Sequence, residues 1–357
     1  HAGNGITDPY ISGNGCTPAK AELVWQDAMN LVTDIKYNAD SNGGNISFKV
    51  DRSSIRQGNA VIAIKDVSDA ILWSWHVWVT DEDINNVIEI TNHQNVKYNF
   101  MPVNLGQCDG NTITYEERSC KVKFIAGDQS KEITIKQLAN VIATGSNAPF
   151  YQWGRKDPLY PSNGMGNTTK IWYDKEGIPS TANPMKGTFS AGNDCIKNCI
   201  LNPNLMHNRY NGDYTYYNLW SADNKTTSAN DNPVNKTIYD PCPVGFKLPA
   251  SNAFTGFTTT GESVSSSTQV NGTWSSSEKG WYFYTNSEKT QSIFFPALGY
   301  RSYSTMRPGS IGTQGCFWSA HPVAKGNNYY LRTSSVDVQP TYMVDRGFGY
   351  ALRPCQD

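Results

Sequence analysis

The alternation of apolar and polar positions predicts short strands alternating with turn clusters over the first two hundred residues. ISFKV places Ile46, Phe48 and Val50 on one face, the period-two pattern of a half-buried strand. ILWSWHVWV places Trp73, Trp75, Val77 and Val79 on one face and Leu72, Ser74, His76 and Trp78 on the other, so this strand is expected to be buried on both sides. CKVKFIA and KEITIKQ, separated by GDQS, read as a β-hairpin, because a short Gly/Asp/Ser turn joins two alternating runs. AELVWQDAMNLVTDI has some helical propensity, but its apolar residues hold no single stripe and β-branched residues crowd its end. It is read as strand. A short helix is expected after Pro249, with Ser251 as its N-cap and Gly256 limiting it to about two turns.

From about residue 140 to 235 the periodicity dissolves into Asn-, Gly-, Pro- and Tyr-rich text with anchors such as FYQWGRKDP and YYNLWS. Loops this long in a compact domain are functional or tied down. Trp153 is expected as a buried anchor, and Arg155, Lys156 and Asp157 as an ion-pairing group that fixes the loop. Composition agrees with a strand-rich chain: hydrophobic residues are 38%, charged residues only 17% and aromatics 12%. Asn, Gly, Ser, Thr and Tyr fill the gap, which disfavours a helical bundle. The 357 residues suffice for two domains or one large β domain. A formal charge of −1 argues against a nucleic-acid or polybasic membrane surface, and no apolar run is long enough to span a membrane. The opening HAGNGITDPYISGNGC lacks a basic region followed by an apolar one. It is neither a signal peptide nor a lipoprotein signal, and the chain reads as a mature or trimmed piece whose export signal is missing. Eight cysteines, an even number in a charge-poor chain, are compatible with an oxidising compartment. Cys108 and Cys120 flank the approach to the hairpin and are candidates for a local bridge.

The last 120 residues hold the most specific text: TIYDPCPVGFKLPASNAFTGFT, GWYFY, IFFPALGYR, GCFWSA, YYLR and RGFGYALRPC in that order. This series resembles the C-terminal module of fimbrillin-like surface proteins of gut Bacteroidales, a module similar to the C-type lectin-like fold and to the major paralogous domain of Fibrobacter. GNAVIAIKD, ILWSWHVWVTD, FMPVNLGQC, YQWGRKDP and NLWSADN upstream fit the same group. The resemblance implies a mainly β chain with some helix: a β-rich, sandwich-like lead-in over 1–69, and an enlarged lectin-like domain with long loops over 70–357. It implies that the segment before the module's helix neighbours the final strand, which makes Cys242 and Cys355 candidates for a bridge worth roughly 4 to 5 kcal/mol in the chain-entropy picture.

No catalytic signature emerges. Asp81, Glu82, Asp83, Glu116, Glu117, Asp240, Glu278, Asp337 and Asp345 share no frame that would set two carboxylates at a glycosidase spacing, and GxSxG, HExxH and Cys-with-His patterns are absent. Formylglycine-generating enzymes share the lectin-like fold, but Cys316 and Cys355 lack their sequence context. Among His1, His76, His93, His207 and His321 no pair has a helical ligand spacing. Cys195 and Cys199 form a CxxxC with no second Cys or His pair nearby, so a zinc site is not expected. VQPTY and LWSADN only echo the tripeptides with which calcium-dependent lectins hold ion and sugar. No cofactor is expected, calcium being the one ion the resemblance leaves open. The sequons at Asn45, Asn167, Asn224, Asn235 and Asn271 are assigned no role.

What remains is recognition. Arg301, Tyr303, His321, Asn327, Asn328, Tyr329, Arg332, Gln339, Tyr342 and Arg346 combine rigid aromatics with adaptable polar groups amid Gly and Ser, as binding surfaces do. Tyr303, Asn327, Asn328 and Tyr342 are expected to be exposed, and Trp318 to be core. The expectation is a non-enzymatic, exported, cell-surface or fimbrial protein, outer-membrane anchored or part of a fimbria. It would bind a glycan or a host or bacterial surface protein, or other fimbrial subunits. The rival is a structural pilus or surface subunit without a soluble ligand. An extracellular hydrolase trails both.

Overall fold

The computed structural model describes residues 10–41, 43–110, 112–187, 193–208, 218–223, 226–323 and 326–357. Strands dominate, and the one α-helix among the described residues, α1, spans Asn193–Leu201. None is long and apolar enough to cross a membrane. The segment with mixed helix and strand signals forms two strands, β1 (Lys20–Gln26) and β2 (Thr33–Asn38). β2 pairs with β3 (Asn45–Lys49). β4 (Gly58–Lys65) and β5 (Ile71–Val79) form a hairpin, whose turn is held by the Asp66 carboxylate accepting from the amides of Ser68 and Ala70. β1, β4 and β5 are adjacent in a five-stranded sheet completed by the short strands Trp172–Tyr173 and Pro179–Ser180. The division expected at 69/70 therefore falls in the β4–β5 turn, and the strands on its two sides share one sheet.

β6 (Ile88–Thr91) and β7 (Lys97–Phe100) join a sheet with the strands Phe246–Lys247 and Cys355–Gln356. The final strand pairs Cys355 with both Phe100 and Lys247, which brings the chain end beside the segment before Pro249. That segment continues into a 3-10 helix, Ser251–Phe257. Ala250, and not Ser251, is its N-cap, since the Ser251 hydroxyl is spent on Asn230 and His321.

The late sheet consists of Gln314–Pro322, Asn327–Ser334 and Val338–Asp345, with the second strand in the middle. It separates two cores. One gathers Phe100, Phe254, Phe257, Trp281, Phe295, Phe317 and Leu331; the other gathers Trp153, Trp220, Trp318, Tyr330, Tyr350 and Leu352. Buried indoles need a partner for their N–H. Here Trp153 donates to Ser319 O, Trp220 to Tyr239 O, Trp281 to Ser334 O and Trp318 to Tyr151 O.

Between β7 and this body the chain forms an arm. β8 (Thr112–Tyr115) pairs with β11 (Asn140–Ala143), and β9 (Arg118–Ala126) with β10 (Gln129–Gln137). The hairpin predicted from CKVKFIA and KEITIKQ is β9–β10. Its turn is the pair Gly127–Asp128, with Gly127 at φ +61°, the conformation that favours glycine in a two-residue turn.

No disulfide forms among the eight cysteines. Cys108 is buried at the base of the arm while Cys120 is exposed on β9 opposite Ile135, so their expected bridge is not made. Cys242 and Cys355 are buried as thiols. Desolvation pushes Cys355 up to about 12 and Cys242 well above its usual range, which suppresses the thiolates that thiol chemistry requires.

Candidate functional site

The expected recognition residues divide by burial. Arg301, His321, Asn328, Tyr329 and Arg346 are buried, which corrects their placement on a surface and overturns the expected exposure of Asn328. For Asn328 and Tyr329 the reason is that both faces of the late sheet's middle strand are covered by core; Arg301, His321 and Arg346 lie outside that strand and are enclosed by neighbouring segments. The Arg301 guanidinium donates to Tyr160 O (2.5 Å), Met306 O (2.6 Å) and Asn183 Oδ1 (3.1 Å). Arg346 stacks 5.0 Å from the Trp153 ring centroid, and the Tyr329 hydroxyl donates to Thr227 O. Tyr303 is half-buried against Phe348, and Asn327 is half-exposed. Three of the ten do converge near solvent. Arg332 donates to Gln339 Oε1 (3.1 Å), pairs with Asp337 (3.4 Å) and lies 5.9 Å from the centroid of exposed Tyr342. A guanidinium thus occupies the Gln339 oxygen that a lectin-type calcium would need.

A concave site lies elsewhere. The β2–β3 hairpin stands over one face of β4 and β5, leaving a cleft of about 520 Å3, within the usual size range of small-molecule sites. Ile46 and Phe48 line it from the hairpin, Ile62 and Ile64 from β4, Trp75 and Val77 from β5, and Tyr10 and Tyr37 from its rim. These are the apolar faces read from ISFKV and ILWSWHVWV. Their burial is incomplete, because Phe48 and Trp75 each remain 40% exposed. Sequence alternation identified the faces. It gave no sign that two of them flank a gap, since that depends on how far the hairpin stands off the sheet.

The opposite face of β4 and β5 carries polar side chains inward. Asp27 accepts from the amide of Asn59 (2.6 Å) and from its Nδ2 (3.0 Å), and receives Lys170 (3.1 Å). Asn59 Oδ1, which can only accept, bonds His76 Nε2 (2.9 Å), so Nε2 carries the ring proton and His76 Nδ1 accepts from the Tyr151 hydroxyl (3.0 Å). Desolvation lowers His76 to about 4. Among the described residues it is the one histidine bordering the cleft, but both its ring nitrogens are bonded on the inner face, away from the cleft. No carboxylate, lysine, serine or cysteine lines the cleft among the described residues. Of the acidic residues weighed for hydrolysis, Asp240 is buried and accepts from the amides of Cys242 and Leu248, a loop staple.

A second cluster was not anticipated. Cys195 and Cys199 sit four residues apart on α1, on one helix face, and His207 ends the strand Leu205–His207. One ligand atom from each lies within 4.8 Å of the others. The Cys195 thiol hydrogen-bonds to that of Cys199, and Arg155 and His207 add to its effect, so the Cys199 thiol is held well below its usual range. The spacing CxxxC was visible in the sequence. The helix that puts both thiols on one face, and the turn that returns His207, were hidden by the absence of periodicity. The trio read as a loop clamp lies alongside: Lys156 pairs with Asp157 (2.7 Å), and both bond Ser74.

No family model, curated protein or solved structure matches the chain.

Proposed function

We propose that the chain is a non-enzymatic, surface-exposed binding protein of adhesin type. It takes a glycan or protein ligand in the cleft between the β2–β3 hairpin and the first sheet. The observation that carries this is the cleft itself, lined by aromatics, with partly exposed Trp75 and Phe48 and, among the described residues, no lining carboxylate, lysine, serine or cysteine. Rigid aromatics give contact area at low entropic cost, and suit the CH face of a sugar ring or an apolar side chain. The lectin-like and fimbrillin-like reading of the sequence belongs to the same proposal. Supporting it are the dominance of strands and the pairing of the chain end with Phe246–Lys247. Arg332, Gln339 and Tyr342 offer a second, flatter contact face.

The purified chain, screened against glycans and matrix proteins with and without calcium, should bind a ligand, and Trp75→Ala should weaken that binding at least tenfold. Binding that survives Trp75→Ala but fails in Tyr342→Ala would transfer the site to the late sheet.

One observation favours the rival reading of a structural subunit. Both strands of the β9–β10 hairpin are exposed along their length apart from half-buried Val122, and one face presents Val122, Phe124, Ile133 and Ile135. An amphipathic two-stranded ribbon without cover is the kind of element that docks on a neighbouring subunit. Absence of any ligand, together with concentration-dependent assembly, would favour that reading.

A further inference from the structure

We propose that Cys195, Cys199 and His207 form a binding site for a zinc-type, thiophilic metal ion. The proposal is independent of the cleft. Two thiolates and an imidazole are a borderline-soft ligand set that selects zinc over calcium or magnesium. At zinc bond lengths of about 2.3 Å to sulfur and 2.0 Å to nitrogen, two ligands of one tetrahedral ion lie about 3.5 to 3.8 Å apart. Ligand atoms already within 4.8 Å of one another need only small side-chain rotations to close on an ion.

The frame that holds them is built independently of the ligand atoms. Gln152 fixes the His207 backbone from both sides: its Oε1 accepts from the His207 amide (3.0 Å) and its Nε2 donates to the His207 carbonyl (2.8 Å). The turn from α1 back to His207 is clamped by the Arg155 guanidinium, which donates to the carbonyls of Pro203 (2.8 Å), Asn202 (3.4 Å) and Leu205. Charge also fits. Two thiolates neutralise a divalent ion, so the loaded site adds no net positive charge beside Arg155, whereas a site of neutral ligands would. Lys156 is already offset by Asp157. No fourth side-chain ligand joins the three among the described residues. Instead, a cavity of about 20 Å3 opens beside Cys195 and Cys199, enough for one water molecule. Three ligands thus come from the described residues, and the cavity beside the two thiols leaves room for a water as a further ligand.

The test uses the full chain, purified under reductant, stripped with a chelator and titrated with Zn2+ against a chromophoric competitor, then with Co2+. One equivalent should bind. The Co2+ form should show thiolate-to-cobalt charge transfer and the intense visible bands of a tetrahedral site, and Zn2+ should raise the melting temperature. Cys199→Ser and His207→Ala should each lower affinity at least tenfold, whereas Cys120→Ser, on the distant arm, should change nothing. Should His207→Ala melt early without metal, Cys199→Ser, at a half-buried position, carries the comparison. Failure of the reduced chain to bind Zn2+ would overturn the proposal. So would binding unchanged in Cys195→Ser/Cys199→Ser, or a Co2+ spectrum without charge transfer.

Discussion

Single buried polar side chains set much of this molecule's sensitivity to pH and substitution. His321 is fully buried, with Nδ1 accepting from the Ser251 amide (3.3 Å), and desolvation lowers it from 6.5 to about 4, against a smaller opposing pull from Asp231. A histidine with a depressed folded pKa is protonated first in the unfolded chain. Its contribution is complete above the unfolded value of 6.5 and drains away as pH falls from there through about 4, amounting to about 3 kcal/mol. Urea midpoints should therefore drop between pH 7.5 and 4.5, and His321→Gln should drop less. Some slope should persist through His76, which is shifted the same way. Parallel profiles for wild type and variant would remove His321 from the account. Asn328 makes the opposite case. Its amide is fully buried on the middle strand of the late sheet, and neither Nδ2 nor Oδ1 has a hydrogen-bond partner among the described residues. Such an amide costs about 1 to 3 kcal/mol, so Asn328→Leu should stabilise the fold by about 1 kcal/mol in chemical denaturation. A clear loss would mean that ordered water satisfies the amide.

Among the elements, the arm stands apart energetically. Its base is closed by reciprocal backbone bonds between Cys108 and Asn147 (2.8 and 3.0 Å), and its long hairpin is exposed along its length apart from half-buried Val122. Replacing residues 112–143 by a short glycine-containing turn should leave thermal stability within about 0.5 kcal/mol of the parent; any self-association should vanish. A large fall in melting temperature would show that the arm packs on the body. The β9–β10 hairpin of the arm was legible in sequence because its alternation is regular and its turn is Gly-Asp, whereas the β8–β11 pairing at its base was not read. The strand character of β1 and β2 was legible from a missing helical stripe, though not their division into two strands, and Trp153 from its size as an anchor in irregular text. The recognition residues were less so: an Asn or Arg amid Gly and Ser reads as surface, yet Asn328 and Arg301 lie inside because sheets and loops from distant segments close over them. Arg353 is the same kind of case, fully buried and donating to Pro102 O, Phe294 O and Asn104 Oδ1 at 2.7 Å each. Single-sequence patterns report local periodicity, and these burials depend on contacts between separate segments, such as Arg301 with Tyr160 and Arg353 with Pro102.

At the scale of the whole molecule, the first sheet is tied to the rest by polar bonds on its inner face as well as by apolar contact. Ser74 donates to Asp157 (2.8 Å), His76 meets Tyr151, and the Trp78 indole donates to Gln107 O (3.1 Å). All three side chains project from β5, which relies on β4 for eight residue pairs. Residues 70–357 alone would keep β5 but lose β4, its one hydrogen-bonded neighbour in the sheet among the described residues, and would expose Trp75 and Val77 along a bare edge, a template for aggregation. The inner-face bonds would then rest on an unsupported strand. That fragment should show no cooperative melting and weak near-ultraviolet circular dichroism, while the full chain melts in one transition. Were 70–357 to melt cooperatively with native-like aromatic signals, the lead-in would be a separable unit, and the β4–β5 pairing dispensable to the remainder. Adding residues 1–69 in trans distinguishes a missing strand from a misfolded fragment, because β4 can restore the edge of β5 only if the rest of the module has already formed.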